Sequence, residues 1–171
     1  MGLLSNNIED ILFQEKKLNE NQLSAIKLES ANTGEDVENI IRKRDLVDEI
    51  DLSKAKAKSL GVEYIDPSSL TINPDIIEII PEDLAKKYLI VPFELDKGIL
   101  SLAMADPLDI PSIEILERKT GHKIKPFLAL PEKIQRTIVA QYGKSIGKDI
   151  TEALGSAEIE NTTKLEENLK V

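Results

Sequence analysis

The sequence predicts an α+β fold, in which an N-terminal four-helix array of two repeated helical hairpins precedes a small α+β subdomain. Three observations predict it. Residues 5–23 resemble residues 33–52 after a shift of 29 positions, which pairs Ile8 with Val37. A β-hairpin pattern, LIVPFELDKGILSLAMAD, occupies residues 89–106, and stretches with helical apolar spacing stand on both sides of it.

The repeated unit reads as a short helix, a turn and a second helix. Apolar residues at i, i+3 and i+4 lie on one helix face, and they are Ile8, Ile11 and Leu12 in the first copy and Val37, Ile40 and Ile41 in the second. Asn19 and Asp48 stand directly before the second helix of each copy, where a side chain can accept a hydrogen bond from a first-turn amide. Gly61 is placed to end the last helix, so the helical subdomain is predicted to span residues 1–61.

The α+β subdomain is predicted to span residues 62–143, and a short extended segment, VEYID, opens it. Pro74 and Pro81 punctuate two short helical pieces, because proline is tolerated in the first turn of a helix and not in its interior. In the hairpin, Gly98 is free to take the positive φ of the turn. A helix, a third strand and a last helix follow over residues 109–121, 122–130 and 131–143.

The two subdomains have separate apolar patterns. We therefore expect each to have its own core, with the join near residues 60–67. The third segment, residues 144–171, is polar and contains several Gly and Thr residues, so we predict a flexible linker. Within it, residues 146–171 are expected to be mobile on the nanosecond scale.

Composition excludes several classes of function. The chain has 22 Lys and Arg against 31 Asp and Glu, a net charge of -9, so it has no excess of cations to replace counterions on nucleic acid. It has no cysteine, which excludes disulfides, thiolate zinc sites and cysteine nucleophiles. No stretch approaches the ~20 apolar residues of a transmembrane helix, so we expect a cytoplasmic protein without direct membrane insertion.

The order of elements and several local phrases resemble the N-terminal region of the ATPases that power type II secretion and type IV pilus assembly. The phrases are LGVEYID at residues 60–66, IIPEDLAKKYLIVPFELDKGILSLAMADPLDI at residues 79–110 and LPEKIQRTIVAQYG at residues 130–143. The specific part is a P-x-x-L-A-x-x-Y helix, a strand that carries a proline, a short hairpin and a strand that ends in A-M-A-D-P-L-D. The resemblance covers residues 5–143.

The resemblance implies a non-catalytic interaction module. Such a module docks the ATPase core, its partner in cis, to cytoplasmic domains of inner-membrane secretion or pilus platform proteins, at the inner face of the cytoplasmic membrane. A motor needs a Gly-rich loop that ends in Lys and Ser or Thr. The segment GKSIGKD at residues 143–149 does not match it, because Tyr142 stands just before the segment where the first Gly would be, and Asp149 stands where Ser or Thr would be. We therefore predict no catalytic, cofactor-binding or metal-binding residue, and an ATPase only as the parent protein.

One branch of the resembled family binds cyclic di-GMP with its helical repeats, which gives the alternative function of a regulatory ligand-binding module. The resemblance places an Arg, two Gly and a Gln of that branch in each repeat. This chain has Asn7, Glu9, Lys16 and Ser30 at those positions in the first repeat, and Asp36, Glu38, Asp45 and Ser59 in the second. Because the binding residues are absent and the carboxylates would repel a dianion, cyclic di-GMP is not an expected partner.

Three further groups of residues are candidate sites. His122, the only histidine, lies beside Lys123 and has no clustered partners for metal binding. Asp106 and Asp109 resemble an acid and base pair or a metal site, but Asp109 is more simply explained as a helix N-cap. The basic run at residues 42–44 is either a solvated helix end or a contact for an acidic partner surface.

Overall fold

The computed structural model describes residues 6–144, which form eight α-helices and one three-stranded β-sheet. The helices are α1 (Ile8–Gln14), α2 (Glu20–Thr33), α3 (Val37–Lys43), α4 (Glu49–Leu60), α5 (Pro74–Ile77), α6 (Glu82–Tyr88), α7 (Ile110–Thr120) and α8 (131–144). The strands are β1 (Ile90–Asp96), β2 (Ile99–Met104) and β3 (Lys123–Leu128). This order of elements confirms the predicted α+β fold.

The repeat in the sequence is also a repeat in the backbone hydrogen bonds. Lys16 and Asp45, which are 29 positions apart, take positive φ values of 61° and 51° just after the first helix of their hairpins. The next amide N–H in each hairpin donates back to a helix carbonyl, that of Leu12 at 2.8 Å and that of Ile41 at 3.2 Å. These bonds satisfy carbonyls at the helix end, so both hairpins share one turn geometry without a glycine.

Both predicted N-caps are present. The Asn19 side chain accepts a hydrogen bond from the Gln22 amide at 2.8 Å, and the Gln22 side chain accepts one from the Asn19 amide at 2.9 Å. The Asp48 carboxylate accepts from the Asp51 amide at 2.8 Å. Gly61, with φ of 73°, ends α4 in the left-handed conformation. The second helix of each hairpin therefore begins where the sequence indicates.

The two hairpins enclose one apolar core. Its buried residues are Leu12, Leu18, Ile26, Ile40, Ile41, Leu52 and Ala55. Helix α1 packs against α4 and helix α2 packs against α3, so the first helix of each hairpin contacts the second helix of the other. Because a single amphipathic hairpin would leave its apolar face in water, each copy covers the face of the other.

The sheet has the order β1-β2-β3. Strands β1 and β2 are antiparallel and are joined by a tight turn at Lys97 and Gly98, whose φ values are 49° and 81°. Strand β3 lies parallel to β2, and helix α7 makes the crossover between them. A register shift between Pro92 and Glu94 marks a β-bulge in the edge strand β1.

The outer edge of β3 is closed to further pairing. The Ile124 N–H donates to the Glu117 carboxylate at 3.1 Å, and Pro126 has no N–H to donate. Leu128 pairs with residues 63–65: its N–H donates to the carbonyl of residue 63, and its carbonyl accepts from the N–H of residue 65, both at 2.9 Å. The outward amide positions along β3 therefore offer no free donor to another strand.

The second core lies between the sheet and helices of the α+β half. Its largest fully buried side chains are Ile80, Ile90, Leu100, Leu102, Met104, Leu116 and Ile134. Tyr142 on α8 adds a polar link, because its hydroxyl donates to the carbonyls of Ile80 at 2.6 Å and Ile77 at 3.3 Å. Burial raises the pKa of Tyr142 to about 12, with a smaller contribution from the Glu82 carboxylate.

The chain passes between the two core clusters just after Gly61, where a bridge between Tyr64 and Leu128 connects the linking segment to the sheet. We propose subdomain boundaries at residues 1–61 and 62–143 on this basis. The predicted linker, residues 144–171, lies outside the described residues except at its first position, and the predicted mobility of residues 146–171 lies wholly outside them.

Candidate functional site

The candidate site is the part of the two hairpins where the resemblance places ligand-binding residues. Asn7 and Asp36, at the positions of the family's Arg, directly precede α1 and α3 and have extended backbones. The hydroxyls at the positions of the family's Gln are used locally: Ser30 donates to the Glu35 carbonyl at 2.8 Å and Ser59 donates to its own helix. These four positions therefore serve helix starts and short-range bonds within the chain.

Glu38, in the first turn of α3, lies at the centre of an ion network. Lys56 Nζ on α4 contacts its two carboxylate oxygens at 3.2 and 3.1 Å, and Arg42 Nη2 contacts one of them at 3.0 Å. Burial acts to raise the pKa of Glu38, but the hydrogen bonds from Lys56 and Arg42 outweigh it and hold the pKa below its ordinary value. Glu38 is therefore a carboxylate that remains ionised while only 15% of its side chain is exposed.

Arg42 extends the network to the start of α4. Its Nε and Nη2 contact the two carboxylate oxygens of Glu49 at 3.1 and 2.9 Å, a paired geometry that suits a guanidinium. The hydrogen bonds from Glu49, and then those from Glu38, raise the pKa of Arg42. The network Lys56, Glu38, Arg42 and Glu49 thus joins the two helices of the second hairpin.

The first hairpin has a related arrangement. Glu9, 29 positions before Glu38, is 8% exposed in the first turn of α1. Lys27, 29 positions before Lys56, contacts the neighbouring Asp10 at 2.6 Å, and this bond raises the pKa of Lys27 more than the nearby Glu9 does. In both hairpins a lysine of the second helix reaches a carboxylate in the first turn of the first helix.

The basic run at residues 42–44 is neutralised within the chain. Besides the Arg42 contacts, Lys43 lies 3.5 Å from the Glu35 carboxylate and Arg44 contacts the Glu29 carboxylate. Each of these residues is at the end of α3 and bonds to a carboxylate on another segment. The run is therefore a helix end held by ion pairs, and the structure gives no support to it as a contact for an acidic partner.

The two aspartates of the ADPLDI segment form helix and turn bonds. Asp109 accepts a hydrogen bond from the Ser112 amide at 3.2 Å and caps α7, as the sequence indicates. Asp106 accepts from the Leu108 amide at 3.0 Å. His122 lies at the turn before β3, where its amide donates to the Thr120 hydroxyl at 3.3 Å. These are structural roles.

Within residues 6–144 no group of three or more His, Asp or Glu side chains could hold a metal ion. No helix in this described part of the chain is long and apolar enough to cross a membrane.

Sequence reasoning missed the cations that contact Glu38 and the lysine near Glu9, because it treated these carboxylates as isolated charges. The signal was available in the repeat. Lys27 corresponds to Lys56 under the 29-residue shift, and each lies 18 positions after the first-turn glutamate of its own hairpin. The same spacing between unlike charges in two copies predicts that each lysine lies near the first turn of the first helix, where Lys56 contacts Glu38 and Lys27 contacts Asp10.

The chain matches a known domain family and known proteins. The family model of the MshEN domain matches residues 60–147. Among curated proteins, the type IV pilus assembly ATPase PilB of Myxococcus xanthus is 27% identical over 168 residues, which are 97% of this chain and 30% of the relative. PilB of Thermus thermophilus is 29% identical over 126 residues, which are 68% of this chain and 14% of the relative. The chain thus spans less than a third of either relative.

Solved structures agree on the fold. The structure of MshE with cdg matches with a TM-score of 0.62 and 22% identity, over 80% of this chain and 99% of that chain. The N-terminal domain of XpsE matches with a TM-score of 0.50 and 21% identity, over 81% of this chain and 96% of that chain. At such identities the likeness concerns the fold alone.

These matches define the class of protein, which is the N-terminal domain of the ATPases of type IV pilus assembly and type II secretion. The chain belongs to the MshEN domain family. The resemblance that the sequence carries is thereby confirmed.

Proposed function

We propose that this chain is the interaction module of a type II secretion or type IV pilus assembly ATPase, and that it docks the motor to cytoplasmic domains of inner-membrane platform proteins. The domain would work in the cytoplasm, at the inner face of the membrane, with the ATPase core as its partner in cis. The observation that supports the proposal is a combination: the chain is an N-terminal domain of this ATPase class, and Glu38, at one of the repeat positions, is held by ion pairs within the chain.

A docking role also suits the surface that the helical half leaves exposed. Leu28 on α2 is 63% exposed between Lys27 and Glu29, both of which form ion pairs with other helices. An exposed apolar side chain on a helix is a suitable anchor for a partner, because binding removes it from water without disturbing the core. In the other half, Val139 on α8 is 71% exposed and provides a matched position.

The experiment is a pull-down with the 171-residue chain and the cytoplasmic domains of platform proteins from the same organism. We expect one of these domains to be retained by the wild type, and a Leu28→Asp variant to lose most of that retention. A Val139→Asp variant, which adds the same charge at a similarly exposed site, should keep it. Retention of none of these domains would contradict docking, and loss only with Val139→Asp would move the interface to the α+β half.

The second candidate is a regulatory module for cyclic di-GMP, and the observation that favours it is the fold shared with MshE, whose structure was solved with cdg. Because of this shared fold, the fold by itself gives no reason to treat cyclic di-GMP as an improbable partner. The side chains oppose it, since Glu38 already engages the two cations at its repeat position.

Titration calorimetry separates the two functions. We expect no saturable heat with cyclic di-GMP at micromolar concentration, because a dianion would have to displace Glu38 from Lys56 and Arg42. Saturable binding, with amide chemical shifts that move around residues 7–12 and 36–41, would replace docking by ligand regulation as the function of the hairpins.

A further inference from the structure

The contacts of Glu38 have the composition of a small anion site. Two cations from different elements, Lys56 on α4 and Arg42 at the end of α3, converge on one carboxylate within 3.2 Å. Only 15% of the Glu38 side chain is exposed, against 37% for Lys56 and 45% for Arg42. The carboxylate is therefore the innermost member of the group, with the cations closing over it from the solvent side.

The cations would retain binding capacity without Glu38. Lys56 has three N–H donors, and its contacts described above all go to Glu38. Arg42 has five N–H donors, and Glu49 engages its Nε and Nη2, so the Nη1 edge of the guanidinium stays available. A phosphate-sized anion could meet both groups at the position that the carboxylate now occupies.

We propose that Glu38 is an intrachain ligand: its carboxylate fills an anion site formed by Lys56 and Arg42, and it thereby holds α3 against α4 without an external anion. The Glu38 carboxylate is an internal competitor for this site, since any free anion must displace a carboxylate that is part of α3. This inference does not depend on the docking function, because it concerns only how the second hairpin is held.

The arrangement of the first hairpin supports the assignment. Lys27 there takes the same position in the repeat as Lys56 and contacts Asp10, with the buried Glu9 beside it. In both copies a second-helix lysine meets a first-turn carboxylate, although Lys27 bonds to Asp10 and not to Glu9, the counterpart of Glu38. The contact thus recurs in kind, between the second helix and the first turn of the first helix in each hairpin.

The test is anion rescue in the 171-residue chain. In a Glu38→Ala variant the site is open, and ~10 mM inorganic phosphate at fixed ionic strength should raise the melting temperature by about 4 °C if phosphate binds with a Kd near 1 mM. The wild type should show no such rise at equal phosphate. A Glu38→Ala/Lys56→Ala double variant should also show none, because one of the two cations is gone.

The matched control is Glu82→Ala, which removes a partly exposed carboxylate that lies 2.6 Å from Lys86 in the other half. It reports the general effect of phosphate on a chain that has lost one ion pair. If Glu38→Ala is unfolded in buffer, recovery of helical circular dichroism with added phosphate becomes the readout. A phosphate response that is equal in all four proteins, or absent from Glu38→Ala, would overturn the proposal.

Discussion

A Tyr142→Phe substitution tests how α8 is fixed to the rest of the α+β half. The Tyr142 hydroxyl donates to the Ile80 carbonyl at 2.6 Å in a buried setting, and it lies 3.3 Å from the Ile77 carbonyl. Its loss removes a buried hydrogen bond and leaves these carbonyls short of a donor, which costs about 1–2 kcal/mol in the free energy of unfolding. Urea unfolding at neutral pH measures this cost.

The same hydroxyl makes a pH prediction of known sign. Its pKa in the folded chain is about 12, above the ordinary value of 10.0, so the unfolded chain releases this proton first as pH rises. The stabilisation is complete below pH 10.0 and is lost as pH rises toward 12, by about 2–3 kcal/mol for a difference of two pH units.

The variant has no such proton, so its deficit relative to the wild type should shrink to near zero by about pH 11.5. A Tyr88→Phe control removes another tyrosine of the same half and leaves this hydrogen bond in place. The reasoning is refuted if the deficit of Tyr142→Phe stays constant across this range, or if Tyr88→Phe shows the same convergence.

Three further outcomes are expected. Glu117→Ala removes the acceptor of the Ile124 N–H, and this hydrogen bond holds the pKa of Glu117 below its ordinary value. The variant should therefore be less stable than the wild type at neutral pH, and the difference should vanish as pH falls through the pKa of Glu117, which acid unfolding curves measure. Asp48→Ala should cost ~1 kcal/mol in chemical unfolding through the lost N-cap, and Asp36→Ala less, since Asp36 makes no side-chain cap bond; equal costs would contradict the capping account. Ile40→Ala should cost about 2–5 kcal/mol and weaken hydrogen-exchange protection in the helical half alone, whereas equal weakening in both halves would refute separate cores.

The sequence was sufficient for the order of elements in this domain because these elements are marked locally. Asn19, Asp48 and Asp109 stand at helix starts, and Gly61 and Gly98 take the positive φ that their positions predict. Each of these signals depends on a few neighbouring residues and needs no knowledge of the rest of the fold.

What the sequence did not reveal are contacts between distant positions. The parallel pairing of β2 with β3, the bond from Tyr142 to Ile80 and the bond from Glu117 to Ile124 depend on how the elements pack. The pairing of Lys56 with Glu38 is of the same kind, although the repeat supplied a hint. Charges are most easily misread, because a carboxylate seen alone in the sequence predicts repulsion and the same carboxylate between two cations predicts a bond.

Carboxylates at the candidate site are compatible with the fold, and the helix geometry explains why. Glu9 and Glu38 lie in the first turn of their helices, where the exposed amide dipoles favour negative charge whether or not a ligand is present. The turns at Lys16 and Asp45 and the apolar faces that meet in the core lie elsewhere on the same hairpins and are unaffected by that charge. A first-turn carboxylate with a lysine across the hairpin is therefore held by the chain itself, so the repeat serves as a packing unit without an external ligand.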